Sequence, residues 1–352
     1  MKIMFAIDRI SGFGGAQRVI ANLANKAFQD GNEVSLLLTG DAGESVYDLE
    51  NGIKVIHATK KPNRTFKYIQ LRKDILKEKP DVIVSFLTMV NVLILIVTIA
   101  TGIPVIISER NDPDYCTKRE KYLVRVTYRL AKSVVVQTEA IKKKVGKYYK
   151  KEIYVIPNPV VVGEISKENY EQVYSISAVG RLNPQKNYFL MLDAMNKFRD
   201  KHNKYVLHIY GDGELKGTLM EYTKNLMLEN HVIFHGNDPY VKEKIANTDF
   251  FVMSSNFEGM PNALAEAMSI GLPVISTDCD GGGAAYLITD KVDGRLVDKG
   301  DSDMLYRAMC EYAENPYKAK KMGEKAKEIR KRLSVSNVNS LWLGVIQNVL
   351  YR

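Results

Sequence analysis

In FFVMSSNFEGMPNALAEAMSIGLPVISTD, residues 250–278, two apolar runs bracket a segment of helical character. FFVMSS and PVISTD are short, rich in apolar side chains and nearly free of charge, as strands buried on both faces must be. Between them, Pro261 suits a first helical position and Gly271 a helix stop, which predicts a helix from Pro261 to Ile270. Two carboxylates frame its start. Glu258 stands in the entry loop and Glu266 about one turn into the helix, so both could face one pocket in front of unpaired backbone N–H groups. Acids of a solvated helix N-terminus are the plainer alternative, since negative charge is favourable there.

Outward from this stretch the same alternation fills the chain. IMFAI, EVSLLLT, IKVIHA, DVIVSF, PVIISE, SVVVQT and IYVIPN read as strands, with helical patterns such as AQRVIANLANKAFQDG and REKYLVRVTYRLAK between them. The series then restarts with YSISAVG, YVLHIYG, VIFHG, FFVMSS, PVISTD and GRLVD. Two such series predict two doubly wound α/β domains with parallel sheets covered on both faces. The break falls around PNPVVVGEISKENYEQ, residues 157–172, where Pro and polar residues replace the apolar rhythm. From about residue 301 the chain reads as purely helical, ending in SNVNSLWLGVIQNVL. The uncharged run MVNVLILIVTIATGIPVII, residues 89–107, approaches the length of a membrane span. Gly102 and Pro104 interrupt it, so a buried helix near 91–101 and a strand from Pro104 are expected instead.

Composition excludes several classes. The 352 residues are 45% hydrophobic and 26% charged, ordinary for a globular chain of two or three domains. Cys116, Cys279 and Cys310 are far apart and odd in number; they form neither a metal spacing nor a disulfide framework, which suits a reducing cytoplasm. The N-terminus reads as a first strand rather than a signal peptide, because Asp8 and Arg9 end its apolar run at once. The net charge of +9 is concentrated: Lys118, Arg119, Lys121, Arg125, Arg129, Lys132, Lys142, Lys143, Lys144, Lys147, Lys150 and Lys151 face only Glu120 and Glu139. With Tyr122, Tyr128, Tyr148 and Tyr149 among them, these helices suit an anionic membrane surface, or form a merely soluble basic face. No nucleic-acid-binding signature accompanies them, so no nucleic-acid partner is expected.

Doubly wound sheets bind ligands at the carboxyl ends of their strands. After the first strand, SGFGGAQRV offers Gly12, Gly14 and Gly15 for close backbone approach before a helix N-terminus. It fails as a dinucleotide fingerprint, because GxGxxG does not fit it. After the first strand of the second series, VGRLNPQKN places Arg181 and Lys186 around a Pro-containing turn. Two cations at that spacing could clamp a diphosphate, Arg as a fork and Lys as a point charge. YGDGEL, with Gly211, Asp212, Gly213 and Glu214, is a flexible strand-to-helix turn of more structural than ligand-binding character.

GGAQR, VGRLNPQKN, YGDGEL, EGMPNALAEAM and PVISTDCDGGG stand in the order and spacing of the retaining glycosyltransferases of family 4, which nearly the whole chain resembles. That resemblance implies the GT-B fold, two doubly wound Rossmann-like domains facing a central cleft. An acceptor-binding domain over 1–160 and a nucleotide-sugar-binding domain over 161–335 are then expected, with a C-terminal helix, 336–352, packing back on the first. By the same resemblance Glu258 would hold the donor sugar hydroxyls and Glu266 the ribose hydroxyls, while Arg181 and Lys186 would neutralise the leaving diphosphate. Arg181, Lys186 and Glu258 form the implied catalytic set. The backbone of Gly259, Met260, Pro261, Asn262, Ala263 and Leu264 would approach sugar and phosphate. Gly211 joins the donor side, and Gly14 and Gly15 would approach from the other domain. No metal or other cofactor is implied, because Arg and Lys take its place. Asp278-Cys279-Asp280 only superficially matches an Asp-x-Asp metal motif, since it follows PVIST in the second domain.

Two departures stand out. Where many members carry a His near the sugar, this chain reads IISERNDPDY, leaving Glu109, Arg110 and Asn111 as acceptor-side candidates, as in capsule and exopolysaccharide members. Where a Glu often follows the glycine pair after PVIST, Gly282 and Gly283 are followed by Tyr286. The expected activity is transfer of a hexose or N-acetylhexosamine from a UDP-linked donor to a lipid-linked or growing polysaccharide acceptor, with retention. It would take place on the cytoplasmic side of a membrane to which the chain docks peripherally. A nucleotide-sugar epimerase of similar fold, or a basic nucleic-acid-binding protein, are the alternatives; acceptor-stimulated donor consumption separates the first reading from both.

Overall fold

The computed structural model describes residues 1–11, 15–40, 47–58, 64–161 and 174–351. It divides into two compact units, Met1–Pro159 together with Val335–Arg352, and Val160–Ser334.

In the first unit seven parallel strands run β1 (Lys2–Ile7), β2 (Glu33–Leu38), β3 (Lys54–His57), β4 (Val82–Phe86), β5 (Val105–Ser108), β6 (Ser133–Val136) and β7 (Ile153–Val155). Their spatial order is β3-β2-β1-β4-β5-β6-β7, which reverses direction between β1 and β4. Successive side chains of a strand point to opposite faces. Ile3, Phe5 and Ile7 accordingly enter one core and Met4 and Ala6 the other, so no residue of this sheet's centre is left to carry charge.

The first of these cores packs beneath α1 (Gly15–Gln29) and the C-terminal helix α14 (Val335–Tyr351). Val338, Trp342, Val345, Ile346 and Val349 recur at helical spacing and form the buried face of α14. Trp342 is fully buried and stacks on Phe86 with ring centroids 5.3 Å apart. The C-terminal helix therefore returns to the first unit, as the sequence resemblance implies.

The other core lies beneath α2 (Arg64–Glu78), α3 (Thr88–Val97), α4 (Lys118–Thr127) and α5 (Glu139–Val145). The uncharged run at 89–107 divides into α3 and β5, with Val90, Val92, Ile94, Leu95 and Val97 in the core. The helix begins and ends a few residues before the expected 91–101, because Leu87 turns the chain with φ +78 and Thr98 already closes it. No helix among the described residues is long and apolar enough to cross a membrane.

The second unit holds β8 (Ser175–Val179), β9 (Val206–Tyr210), β10 (Val232–Gly236), β11 (Phe250–Met253), β12 (Val274–Asp278) and β13 (Arg295–Asp298). They order as β10-β9-β8-β11-β12-β13, all parallel, with the reversal between β8 and β11. One face carries α6 (Tyr188–Arg199), α7 (Lys216–Asn225) and α11 (Ser302–Glu314). The other carries α8 (Val241–Ala246), α9 (Asn262–Ser269) and α10 (Gly283–Leu287). The helices α12 (Pro316–Ala326) and α13 (Ile329–Arg332) follow before the chain passes into α14.

Candidate active site

The reversal between β8 and β11 makes the crevice at their carboxyl ends the place where a doubly wound sheet gathers ligand-binding loops. Two loops meet there and are tied together atom by atom. The Asn256 amide N–H donates to the Gln185 carbonyl at 2.8 Å, and the Gln185 side chain donates back to the Phe257 carbonyl at 2.9 Å. Asn187, held in the left-handed region at φ +46, donates from its side chain to Asn256 Oδ1 at 3.0 Å. The Ser254 hydroxyl donates to the carbonyls of Lys186 and Asn187.

These ties deliver Lys186 to Glu258. The Lys186 Nζ lies 2.6 Å from Glu258 Oε1, and the Ser255 hydroxyl donates to the same oxygen at 3.0 Å. Both charged side chains are mostly enclosed, at 15% and 10% exposure, where an ion pair is screened less than at the surface. Gly281 fits against the Glu258 carbonyl at φ +89; a Cβ there would lie 2.2 Å from that oxygen. Arg181 is exposed in the same loop as Lys186 and makes no side-chain hydrogen bond or ion pair among the described residues.

Pro261 adopts φ −76 and ψ 98 and is the residue before α9 rather than its first, so the helix starts one position later than its sequence suggests. Proline at that position provides no side-chain cap, and the first-turn N–H groups of a helix need partners from elsewhere. Glu266, one turn in, sits 3.7 Å from Lys242 Nζ of α8. Gly211, at φ +137, serves a close approach of loops: a Cβ would lie 2.0 Å from the Gly180 carbonyl, and the Leu182 N–H donates to the Asp212 carbonyl beside it. Asp280 pairs with Lys299 at 2.7 Å, and its carbonyl accepts from the Glu258 N–H. The Cys279 thiol is pushed up to about 12 by burial.

In the first unit Gly15 opens α1, whereas Gly12 and Gly14 lie outside the described residues. The three acceptor-side candidates differ sharply. Glu109 is buried and accepts hydrogen bonds from the Tyr128 hydroxyl at 2.5 Å, the Thr88 hydroxyl at 2.8 Å and the backbone N–H groups of Arg110 and Asn111. Burial raises its pKa, against the lowering effect of those donors. Arg110 is buried as well, stacked over Phe86 and donating to Asn158 Oδ1 at 2.7 Å; burial lowers its pKa to about 9. Only Asn111 is exposed. Glu109 is thus a positioning residue that shapes the turn carrying the other two.

The basic segment also sorts itself. Tyr128 and Tyr149 are core residues and only Tyr122 of the four tyrosines is exposed; α4 and the 3-10 turn that follows it direct Val124, Thr127 and Tyr128 inward. Lys144 is held by Asp112 at 2.6 Å and Asp114 at 2.8 Å. Sequence reasoning missed Ser255, three residues from Glu258, and Gln185 and Lys242, which act through contacts distant in sequence.

Two doubly wound units, the second with the Lys186–Glu258 pair at its switch point, have the architecture in which ligands bind at the carboxyl ends of the strands. Residues 13–164 match the Glycosyltransferase Family 4 model and residues 164–329 the Glycosyl transferases group 1 model. A Campylobacter jejuni protein is 30% identical over 99% of both chains; its name is GalNAc-alpha-(1->4)-GalNAc-alpha-(1->3)-diNAcBac-PP-undecaprenol alpha-1,4-N-acetyl-D-galactosaminyltransferase. The amylovoran biosynthesis glycosyltransferase AmsD of Erwinia amylovora is 28% identical over 86% of this chain and 87% of its own. Among solved structures, Anabaena HepE in complex with UDP-glucose superposes with a TM-score of 0.83 at 18% identity, covering 99% of this chain and 100% of that one; the likeness establishes the fold. The chain belongs to the family 4 glycosyltransferases, enzymes of the GT-B fold.

Proposed function

We propose that this glycosyltransferase moves a hexose or N-acetylhexosamine from a UDP-sugar to a lipid-linked or growing cell-surface glycan, with retention and without a metal ion. The observation that carries the reading is the Lys186–Glu258 pair at the carboxyl ends of β8 and β11, with Arg181 exposed in the same loop as Lys186. Glycosyl transfer develops positive charge on the sugar and negative charge on the departing diphosphate. Fixed cations stabilise that leaving group most in the transition state, and so accelerate the chemical step rather than merely tightening binding. Arg181 and Lys186 take the place a divalent ion has in other transferases. Glu258, held by Lys186 and Ser255, presents its remaining acceptor capacity to sugar hydroxyls. Glu266 receives the ribose hydroxyls, with Lys242 balancing its charge. Asn111, the exposed member of its turn, is the acceptor-side group.

The relatives support the substrate classes: one is named for an undecaprenyl-diphosphate-linked glycan, and HepE was solved with UDP-glucose.

A peripheral seat on an anionic membrane fits the exposed side of α4. Tyr122 and Val126 there, and Leu130 in the turn that follows, recur every fourth residue, with Arg119, Arg125 and Arg129 exposed alongside. On α2, Phe66, Ile69 and Leu76 form a second exposed apolar stripe. Apolar side chains flanked by cations are the composition of a helix lying in a membrane interface.

The test incubates the protein with a panel of UDP-sugars, with and without a polyprenyl-diphosphate-linked glycan. UDP release should rise when acceptor is added, and the new linkage should keep the donor's anomeric configuration. Donor consumption indifferent to acceptor would favour an epimerase, and an inverted product would sink the retaining mechanism.

A further inference from the structure

Away from the donor loops, at the amino edge of the second sheet, one group of His, Cys and acidic side chains among the described residues converges closely enough to hold an ion. It comprises His202, Cys310 and Glu314, whose ligand atoms all lie within 4.8 Å of one another. Cys310 and Glu314 are one turn apart on α11 and so share a face. His202 sits just beyond the end of α6, which packs beside α11 in the same core. Its Nε2 is buried without a hydrogen-bond partner and lies 3.6 Å from Glu314 Oε1. A buried polar atom left unpaired is costly and asks for an explanation.

Neighbouring rings hold the histidine. The His202 ring stacks on Phe198 with centroids 4.6 Å apart and meets Tyr205 edge-on, so its orientation is fixed before any ion arrives. Cys310 is buried while Glu314 is 56% exposed, giving an ion a way in. Tetrahedral zinc, bound at about 2.0–2.3 Å from N, O and S, sets its ligand atoms roughly 3.3–3.7 Å apart. His202 Nε2 and Glu314 Oε1, 3.6 Å apart, already stand at that spacing.

We propose that His202, Cys310 and Glu314 form a zinc site, with water in the fourth position. A soft thiolate joined to imidazole and carboxylate favours Zn²⁺ over the hard cations Mg²⁺ and Ca²⁺. Binding releases the Cys310 proton to solvent and ties α6 to α11. The site is structural. It goes beyond glycosyl transfer and stands independently of that reading.

The experiment titrates untagged, metal-free protein with Co²⁺ and then Zn²⁺. Expected is one equivalent bound, with a sulfur-to-cobalt charge-transfer band that Zn²⁺ abolishes. Zn²⁺ at a hundredfold excess over its dissociation constant should raise Tm by about 5–10 °C. Cys310→Ser removes the band, and Glu314→Gln and His202→Asn weaken binding. Native protein that shows no thiolate–cobalt band overturns the proposal. So does a band that survives Cys310→Ser, which would place the metal on Cys116 or Cys279. The His202 and Glu314 variants keep the test decisive should Cys310→Ser fold poorly: binding unchanged in both would equally overturn it.

Discussion

Replacing Lys186 with Met keeps most of the side chain's volume and removes its charge, leaving Glu258 enclosed with the Ser255 hydroxyl as its remaining side-chain donor. Removing one partner of a buried ion pair costs about 3–5 kcal/mol, because the other charge is left uncompensated. The slight exposure of both groups argues for the lower end, about 3 kcal/mol. In a unit of this size that lowers Tm by roughly 6–12 °C. Glu258→Gln should cost less, since a freed lysine swings its ammonium into water. The double variant, with neither charge, should recover much of the loss, a coupling of about 1–3 kcal/mol between the sites. Turnover should behave differently. Loss of a fixed transition-state donor costs about 10²–10³ in rate, and removing Glu258 as well returns none of it. Melting curves of the four proteins and UDP release under single-turnover conditions separate the two effects. A Lys186→Met protein that melts with the native one, or strictly additive losses in the double variant, would refute the pairing. Turnover rescued in the double variant would refute the catalytic role.

Glu266→Ala should weaken UDP binding about 10–150-fold by calorimetry, the equivalent of a charged hydrogen bond worth about 1.5–3 kcal/mol; an unchanged Kd would remove Glu266 from the ribose. Turnover should persist in excess EDTA, whatever chelation does to melting, and loss restored by Mg²⁺ or Mn²⁺ would contradict the cation clamp. Reversing Arg119, Arg125 and Arg129 to Glu should abolish sedimentation with anionic liposomes at low salt, since each cation contributes about 1 kcal/mol there. Native protein indifferent to such liposomes would reduce this face to a soluble surface; Lys144 is left out of the test because Asp112 and Asp114 hold it. Glu109 titrates above its ordinary value in the fold, so the folded state binds its proton more tightly than the unfolded chain does. The native protein should therefore gain stability as pH falls through the raised folded value toward about 4.5, and Glu109→Gln should lose that slope in urea melts; identical slopes would exclude a raised carboxyl.

Strands were the most legible part of the fold. Each apolar run formed a parallel strand, most with ends trimmed by one to three residues, because a strand covered on both faces leaves little freedom for polar residues. The start of α9 was misjudged by one position, since Pro261 takes an extended ψ and stands outside the helix. The basic segment misled for a different reason. Charge dominates its composition, yet a helix has faces, and Tyr128 lies on the inward one while Lys144 answers two aspartates. Pattern along the chain also cannot announce that Lys186 and Glu258 are 72 residues apart in sequence but 2.6 Å apart in space. Nor could it tell that Glu109 accepts from its own next two backbone N–H groups, which leaves Asn111 as the exposed member of the trio.

The return of α14 to the first unit reverses the usual order of maturation during synthesis. Domains ordinarily complete themselves from the N-terminus as they leave the ribosome. Here the ribosome has translated all of Val160–Ser334 before it reaches the helix bearing Trp342, against which Phe86 packs. The second unit is continuous and is free to close first. The first waits, its Phe86 face uncovered, for a residue made about 250 positions later, as the numbering of the two rings shows. A chain released early, anywhere before α14, leaves that apolar surface bare and a ready target for chaperones and proteases.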